Sequence, residues 1–183
     1  MRIVGGAWRG RRLAAVGRGD AAARLRPTGD RVREALFNLL AHSWGDPVPG
    51  ARALDVFAGT GALGLEALSR GAASATFVER GRAGLGLLRE NLRLLGAEAC
   101  VVARDACRPG PWTGPPHDLA FLDPPYGRGL GEAAMTALVD AGWLAPGALT
   151  IWEEGAELPP PEGFATLDRR RYGGTVVTVL RAP

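Results

Sequence analysis

The spacing of apolar positions changes character twice along this chain. Residues 2–14 alternate loosely between apolar and polar, with Gly5-Gly6 and Gly10 as punctuation, which predicts a short hairpin or extended arm. Residues 15–28 carry Gly, Asp and Pro and read as a flexible loop. A helix is expected to begin near Thr28-Gly29-Asp30. Its apolar positions Val32, Leu36, Leu39 and Leu40, with Ala35 and Phe37 filling in, recur at helical spacing until Gly45 and Pro47 end the run. From Ala51 onward, short apolar runs alternate with amphipathic stretches. The runs 52–57, 75–79, 99–104, 118–122 and 148–153 predict strands, and 62–70, 82–95 and 131–141 predict helices between them. Such alternation implies an α/β domain with a parallel sheet covered on both faces. After Pro159-Pro160-Pro161, residues 164–171 and 174–181 alternate with period two around Gly173-Gly174, as an antiparallel pair at a sheet edge would.

Composition narrows the class. A chain of 183 residues with 46% apolar content is long enough for one domain with a real core. Cys100 and Cys107 make no metal-ligand spacing with His42 and His117, so no metal site is expected. Two thiols suit a reduced cytosol, and no apolar stretch is long enough for a membrane span or a signal-peptide core. A cytoplasmic protein without a membrane partner is expected.

Charge is distributed unevenly. Residues 1–33 hold nine arginines against Asp20 and Asp30, whereas the rest of the chain holds thirteen arginines against seventeen acids. A basic arm, residues 1–27, on a mildly acidic body, residues 28–183, suggests binding to a polyanion. Arg2, Arg9, Arg11, Arg12, Arg26, Arg31 and Arg33 are the candidate RNA contacts.

Two motifs carry candidate chemistry. Gly59-Thr60-Gly61-Ala62-Leu63-Gly64 follows the strand ending in Asp55-Val56-Phe57 and opens a helix, and Glu79 ends the next strand. These features match a dinucleotide-binding turn, which makes an NAD-dependent dehydrogenase a competing reading. Charge argues against it, because a pyrophosphate at that turn would meet the Asp55 carboxylate. S-adenosylmethionine has no phosphate and carries a sulfonium and an amine, which a carboxylate attracts. Phe57, Ala58, Gly59, Thr60 and Gly61 then face its methionine end beside Asp55. Glu79 accepts the ribose hydroxyls, Asp105 takes the adenine amine, and Ala106 offers a backbone donor. Arg80 is counted with this set, although its own side chain reads as solvent-facing. Asn91, Cys107 and His117 read as structural or solvent-facing.

The second motif is Asp123-Pro124-Pro125-Tyr126, directly after the apolar run Leu119-Ala120-Phe121-Leu122. Two prolines cannot continue a sheet, so the tetrapeptide is a rigid loop at a strand's carboxyl end, the edge where open α/β sheets bind ligands. Methyl transfer to an exocyclic amine needs what this loop offers. A carboxylate and a proline carbonyl can accept the two amine hydrogens and favour a more tetrahedral nitrogen, while Tyr126 stacks on the base. Asp123 is the plausible proton acceptor or relay and also faces the cofactor.

Several segments together resemble the RsmD family. Leu25-Arg26-Pro27-Thr28, Asp30-Arg31-Val32-Arg33-Glu34-Ala35-Leu36-Phe37-Asn38, the stretch from Leu54 to Ala72, and Phe121-Leu122-Asp123-Pro124-Pro125-Tyr126 are similar to its motifs, as are Met1 to Gly6 and Arg171-Tyr172-Gly173-Gly174-Thr175. That family methylates N2 of one guanine in bacterial 16S ribosomal RNA. The resemblance implies a Rossmann-like class I methyltransferase with a seven-stranded, mostly parallel sheet, an antiparallel C-terminal hairpin and a short basic N-terminal arm. It also implies S-adenosyl-L-methionine as donor, a flipped target guanine, and 16S ribosomal RNA in the small subunit or an assembly intermediate as partner. An N6-adenine methyltransferase is the alternative within this chemistry, although such enzymes more often carry Asn where Asp123 stands. A basic RNA-binding module with a vestigial cofactor site is the alternative outside it.

Overall fold

The computed structural model describes residues 1–15 and 29–183. Arg26 and almost all of the expected 15–28 loop lie outside the described residues. Eleven elements follow in the order α1 (Asp30–Ser43), β1 (Arg52–Val56), α2 (Ala62–Ser69), β2 (Ser74–Val78), α3 (Arg82–Leu95), β3 (Cys100–Val102), β4 (His117–Leu122), α4 (Leu130–Asp140), β5 (Leu144–Glu154), β6 (Ala165–Tyr172) and β7 (Thr175–Arg181). The strands form one seven-stranded sheet in the order β3-β2-β1-β4-β5-β7-β6. β1 to β5 run parallel, and β7 pairs antiparallel with both β5 and β6. The expected fold class is therefore present, with the C-terminal hairpin at one edge.

The elements follow from the residues. β1, β2 and β4 are nearly continuous apolar runs because helices cover both faces of the sheet. One face buries Leu36, Phe37, Leu40, Leu65 and Leu88 from α1, α2 and α3 against Ala53, Phe77, Phe121 and Ile151. The other buries Ala134, Met135 and Leu138 of α4 against Val56, Ala120, Leu122 and Trp152. α3 ends on Gly96 in the left-handed conformation, φ 65°, the usual glycine stop.

Two strands depart from expectation by more than one residue. β3 is confined to Cys100–Val102, because it is an edge strand paired only with β2. β5 begins at Leu144 rather than 148. Pro146 and Gly147 conceal this start in the sequence. The structure absorbs them as a register shift, in which His117 faces Leu144 but Leu119 already faces Leu149, with Gly147 at φ 75°.

The arm is a small hairpin welded to the body. Arg2 bridges Arg12, Ile3 exchanges backbone bonds with Gly10 and Arg11, and Ile3 and Leu13 are buried in the same core as α1 and α2. The Val4 N–H donates to Glu66 at 2.8 Å, and the Ala7 and Trp8 N–H groups donate to the Ser69 carbonyl and hydroxyl at 2.7 and 2.9 Å. Gly6 is needed here, since a Cβ on it would lie 1.8 Å from the Ser69 carbonyl oxygen.

Candidate active site

β1 and β4 are adjacent, yet the chain leaves β1 towards β2 on one side and returns to β4 on the other. That reversal opens a crevice at the carboxyl edge, the usual ligand site in such sheets. Asp55, Glu79, Asp105 and Asp123 all sit on or just beyond strand ends there. The structure thus brings together the acidic set read from the sequence.

Each carboxylate is fastened by the backbone around it. Asp55 is 2% exposed and accepts the Gly64 N–H at 2.8 Å, tying the end of β1 to the first turn of α2. Burial is the main cause that pushes its carboxyl well above the ordinary range. The Gly64 bond opposes this, and the negative charges of Asp123 and Glu79 add to it. Glu79 accepts the Gly59 N–H at 2.8 Å and the Gly81 N–H at 2.5 Å, so it holds both the glycine turn and the entry to α3. Asp105 accepts the Cys107 N–H at 3.0 Å and pairs with Arg80 at 2.6 Å. Arg80 is therefore joined to the Asp105 carboxylate rather than directed only to solvent.

The glycine turn is built for tight packing. A Cβ on Gly61, at φ 79°, would lie 2.4 Å from Leu88, and one on Gly64 would lie 2.4 Å from the Phe77 ring. Those two glycines let α2 sit against β2 and α3. Phe57 has φ 60°, an unfavourable conformation for a bulky residue and typical of strain held at a functional turn. Ala58 and Thr60 are buried in the same turn. Asn91, fully buried on α3, donates to the Thr60 carbonyl at 2.9 Å and exchanges bonds with the Ala14 N–H at 2.7 Å and carbonyl at 3.1 Å. It joins the turn to the arm. Its structural reading stands, and its position between Leu88 and Leu95 on the buried face of α3 is a signal the sequence offered.

The Asp-Pro-Pro-Tyr loop follows β4 directly. The Asp123 N–H points at the Val56 carbonyl at 3.4 Å, which sets the loop beside the end of β1. Pro124 is buried, Pro125 is exposed, and Asp123 and Tyr126 are half-buried. The Tyr126 hydroxyl is 3.3 Å from Thr175 Oγ1, and its ring lies over Gly155, where a Cβ would come within 3.1 Å of it. Sequence reasoning missed Glu154. Buried at the end of β5, it accepts the Gly127 N–H at 2.7 Å and the Gly155 N–H at 3.2 Å through one oxygen. The available signal was an acidic pair, Glu153-Glu154, closing an apolar strand at the ligand edge.

The candidate RNA contacts separate into groups. Arg2, Arg9, Arg11, Arg12 and Arg31 are exposed. Arg33 is not, and the expectation for it is corrected. It is fully buried, pairs with Asp30 at 2.9 Å and Glu66 at 3.6 Å, and donates to the Arg2 carbonyl. A guanidinium so enclosed cannot reach a phosphate. Arg9 and Arg11 also lie far from the crevice. The arm's tip docks on the last turn of α2, about 12 Å along that eight-residue helix from the glycine turn. Arg11 donates to the Leu94 carbonyl at the far end of α3.

His117 and Cys107 behave as read. His117, at the opposite sheet edge, bonds the Trp143 carbonyl at 2.8 Å and Thr76 at 2.9 Å, and burial lowers its pKa. The Cys107 pKa is raised, chiefly by burial and then by Asp105. Among the described residues, no cluster of His, Cys, Asp and Glu could hold a metal ion, and no helix is long and apolar enough to cross a membrane.

Known proteins resemble this chain in sequence and fold. A family model described as "Conserved hypothetical protein 95" matches residues 1–181. "Ribosomal RNA small subunit methyltransferase D" of Escherichia coli is 46% identical over 179 residues, covering 96% of this chain and 86% of that protein. The protein of the same name from Haemophilus influenzae is 38% identical, covering 94% and 89%. The solved structure of yhhF from Escherichia coli aligns with a TM-score of 0.81 at 39% identity, over 100% of this chain and 97% of that one. With its sheet order, its acidic strand ends and this end-to-end similarity, the chain belongs to the RsmD family.

Proposed function

We propose that this protein transfers a methyl group from S-adenosyl-L-methionine to the exocyclic N2 amine of a guanine in 16S ribosomal RNA. The observation that carries the reading is the convergence of Asp55, Glu79 and Asp123 at the switch-point crevice, close enough that the latter two raise the pKa of the first. A site with three carboxylates suits a cationic sulfonium ligand and opposes a pyrophosphate. The turn also fits such a ligand. Gly59, at φ 53°, presents bare backbone, and Glu79 keeps lone pairs for ribose hydroxyls beyond its two amide bonds. Asp55, Phe57, Ala58, Gly59, Thr60, Gly61, Glu79, Arg80, Asp105 and Ala106 would hold the cofactor, with Asp123 at its reactive end. When bound, S-adenosylmethionine supplies an electrophilic methyl group on its sulfonium.

The chain's own residues do the rest. Asp123 and the Pro124 carbonyl accept hydrogens of the target amine and turn its lone pair towards the methyl carbon. Asp123 then takes the proton the nitrogen loses, directly or through water. Pro124 and Pro125 keep that acceptor pair rigid, and Tyr126 stacks on the flipped base. Exposed Arg2 and Arg12 of the arm and Arg31 of α1 add phosphate contacts. The names of the relatives support ribosomal RNA of the small subunit as the substrate, free or in an assembly intermediate, and a cytoplasmic location suits that reading.

The test is incubation of purified protein with methyl-labelled S-adenosylmethionine and unmodified 16S RNA or small subunits, followed by nucleoside mass analysis. N2-methylguanosine is expected. N6-methyladenosine, or no transfer to either substrate, would refute the reading.

A further inference from the structure

We propose that the β6–β7 tip is the surface that grips the RNA backbone beside the target base, with Arg170 and Arg171 as its phosphate-binding cations. This rests on the reading of RNA as the substrate. Topology places the tip. β5 runs towards the crevice, and β7 runs antiparallel to it, with Glu154 facing Val176. Thr175 and its partner Tyr172 therefore lie at the same carboxyl edge as the catalytic loop. The contact between Thr175 and the Tyr126 hydroxyl at 3.3 Å confirms that adjacency. Arg171 and Arg170 stand one and two residues behind Tyr172, within about 7 Å of strand.

The two guanidiniums project to opposite faces of the outer strand, so they flank the tip on both sides. Both side chains are more than half exposed, at 55% and 53%. Arg171 and Glu157, at 3.5 Å and both more than half exposed, make a surface pair of the weak, screened kind that a phosphate can replace, and Arg170 pairs at 3.0 Å with Asp168, which is 20% exposed. Arg169 is different. It is bound to Thr178, to the Leu158 carbonyl and to Glu157, and holds the hairpin itself. The tip is bare, since nothing lies within 4 Å of where a Cβ on Gly173 or Gly174 would stand. Backbone there is open to close approach by a nucleic-acid strand. By contrast, Arg9 and Arg11 sit at the far ends of α2 and α3, away from the crevice.

The test is RNA affinity of the Arg170→Ala/Arg171→Ala double variant across a salt series, with unmodified 16S RNA transcript and with unmodified small subunits. Arg181→Ala is the control. It removes another exposed charge from the same hairpin, at the end that pairs with Ala165, away from the crevice. We expect about a tenfold loss of affinity in the double variant and a salt slope smaller by about 1.4, two single-strand phosphate contacts at about 0.7 each. Arg181→Ala should bind like wild type. S-adenosylmethionine affinity serves as the folding check, and single Arg170→Gln and Arg171→Gln variants replace the double one if it fails that check. Unchanged affinity and slope, or an equal loss in Arg181→Ala, overturns this surface. Wild-type protein that neither binds nor methylates either RNA overturns the substrate reading instead.

Discussion

Replacing Glu66 with Ala should be among the most damaging single changes outside the crevice. Glu66 is fully buried on α2 and serves three partners. It pairs with Arg70 at 2.8 Å, with Arg33 at 3.6 Å, and accepts the Val4 N–H at 2.8 Å. Arg33 is itself fully buried, so the variant takes one charged partner from its guanidinium, while Asp30, which is 34% exposed, and the Arg2 carbonyl stay. Removing one partner of a buried ion pair costs about 3–5 kcal/mol, because the other charge stays out of water. The Val4 amide loses its acceptor, adding about 1 kcal/mol. Asp30 offsets part of this, so a total loss of about 3–4 kcal/mol is expected. Arg70→Ala is the comparison. Its side chain is 20% exposed and covers the Phe37 ring at 4.8 Å, so about 1 kcal/mol is expected. The assay is urea unfolding of both variants, comparing midpoints at equal m-value. A loss below about 1 kcal/mol for Glu66→Ala would refute the claim that this buried node holds arm, α1 and α2 together.

The remaining predictions concern the crevice. Asp55 is held well above the ordinary aspartate value of 3.8 mainly by burial. The folded state therefore binds a proton that the unfolded state releases, and stability should fall as pH rises from 3.8 through the folded value. Asp55→Asn should remove that dependence in thermal unfolding and raise ligand-free stability at neutral pH, while weakening S-adenosylmethionine binding in calorimetry. A variant destabilised at neutral pH would contradict the burial argument. Asp123→Ala should lower single-turnover methylation by at least about a hundredfold with cofactor affinity largely kept, and near-normal transfer would reduce the loop to a turn. Tyr126→Phe should change the rate little, since stacking needs only the ring, whereas Tyr126→Ala should lose stacking worth about 1–3 kcal/mol. Glu154→Ala should lower turnover by releasing Gly127 and Gly155 around Tyr126. Glu154→Gln, which keeps the accepting oxygen, should restore most of it, and equal damage in both would deny a positioning role.

Where the apolar period was clean, the sequence was legible. β1, β2 and β4 lie within two residues of their expected bounds, because a sheet covered on both faces demands unbroken apolar runs. The place of the Asp-Pro-Pro-Tyr loop followed from two prolines after such a run. Arg33 was misread although the signal was present. With Leu36, Phe37 and Leu40 it repeats at helical spacing, so it belonged to the buried face of α1 rather than to the basic arm. The early start of β5 was hidden by Pro146 and Gly147, which only the register shift explains. The docking of the arm had no local signal at all. Its partners lie sixty or more residues away, at Glu66, Ser69 and Asn91. Phe57 was equally illegible, since a bulky residue at positive φ is held there only by the finished turn.

The way the arm is held has a consequence for synthesis on the ribosome. Val4 and Trp8 leave the exit tunnel early, but the groups that receive them lie 62 and 61 residues downstream, and the acceptor for Ala14 lies 77 residues downstream. At about 5–20 residues per second, Ile3 and Leu13 wait several seconds with no helix to cover them. The basic residues around them keep that waiting strand in solution. Final closure must run backwards along the chain, with α2 and α3 formed first and the earliest-made residues fitted last. Because Asn91 grips both Ala14 and the Thr60 carbonyl, the same late event that seats the arm also completes the glycine turn.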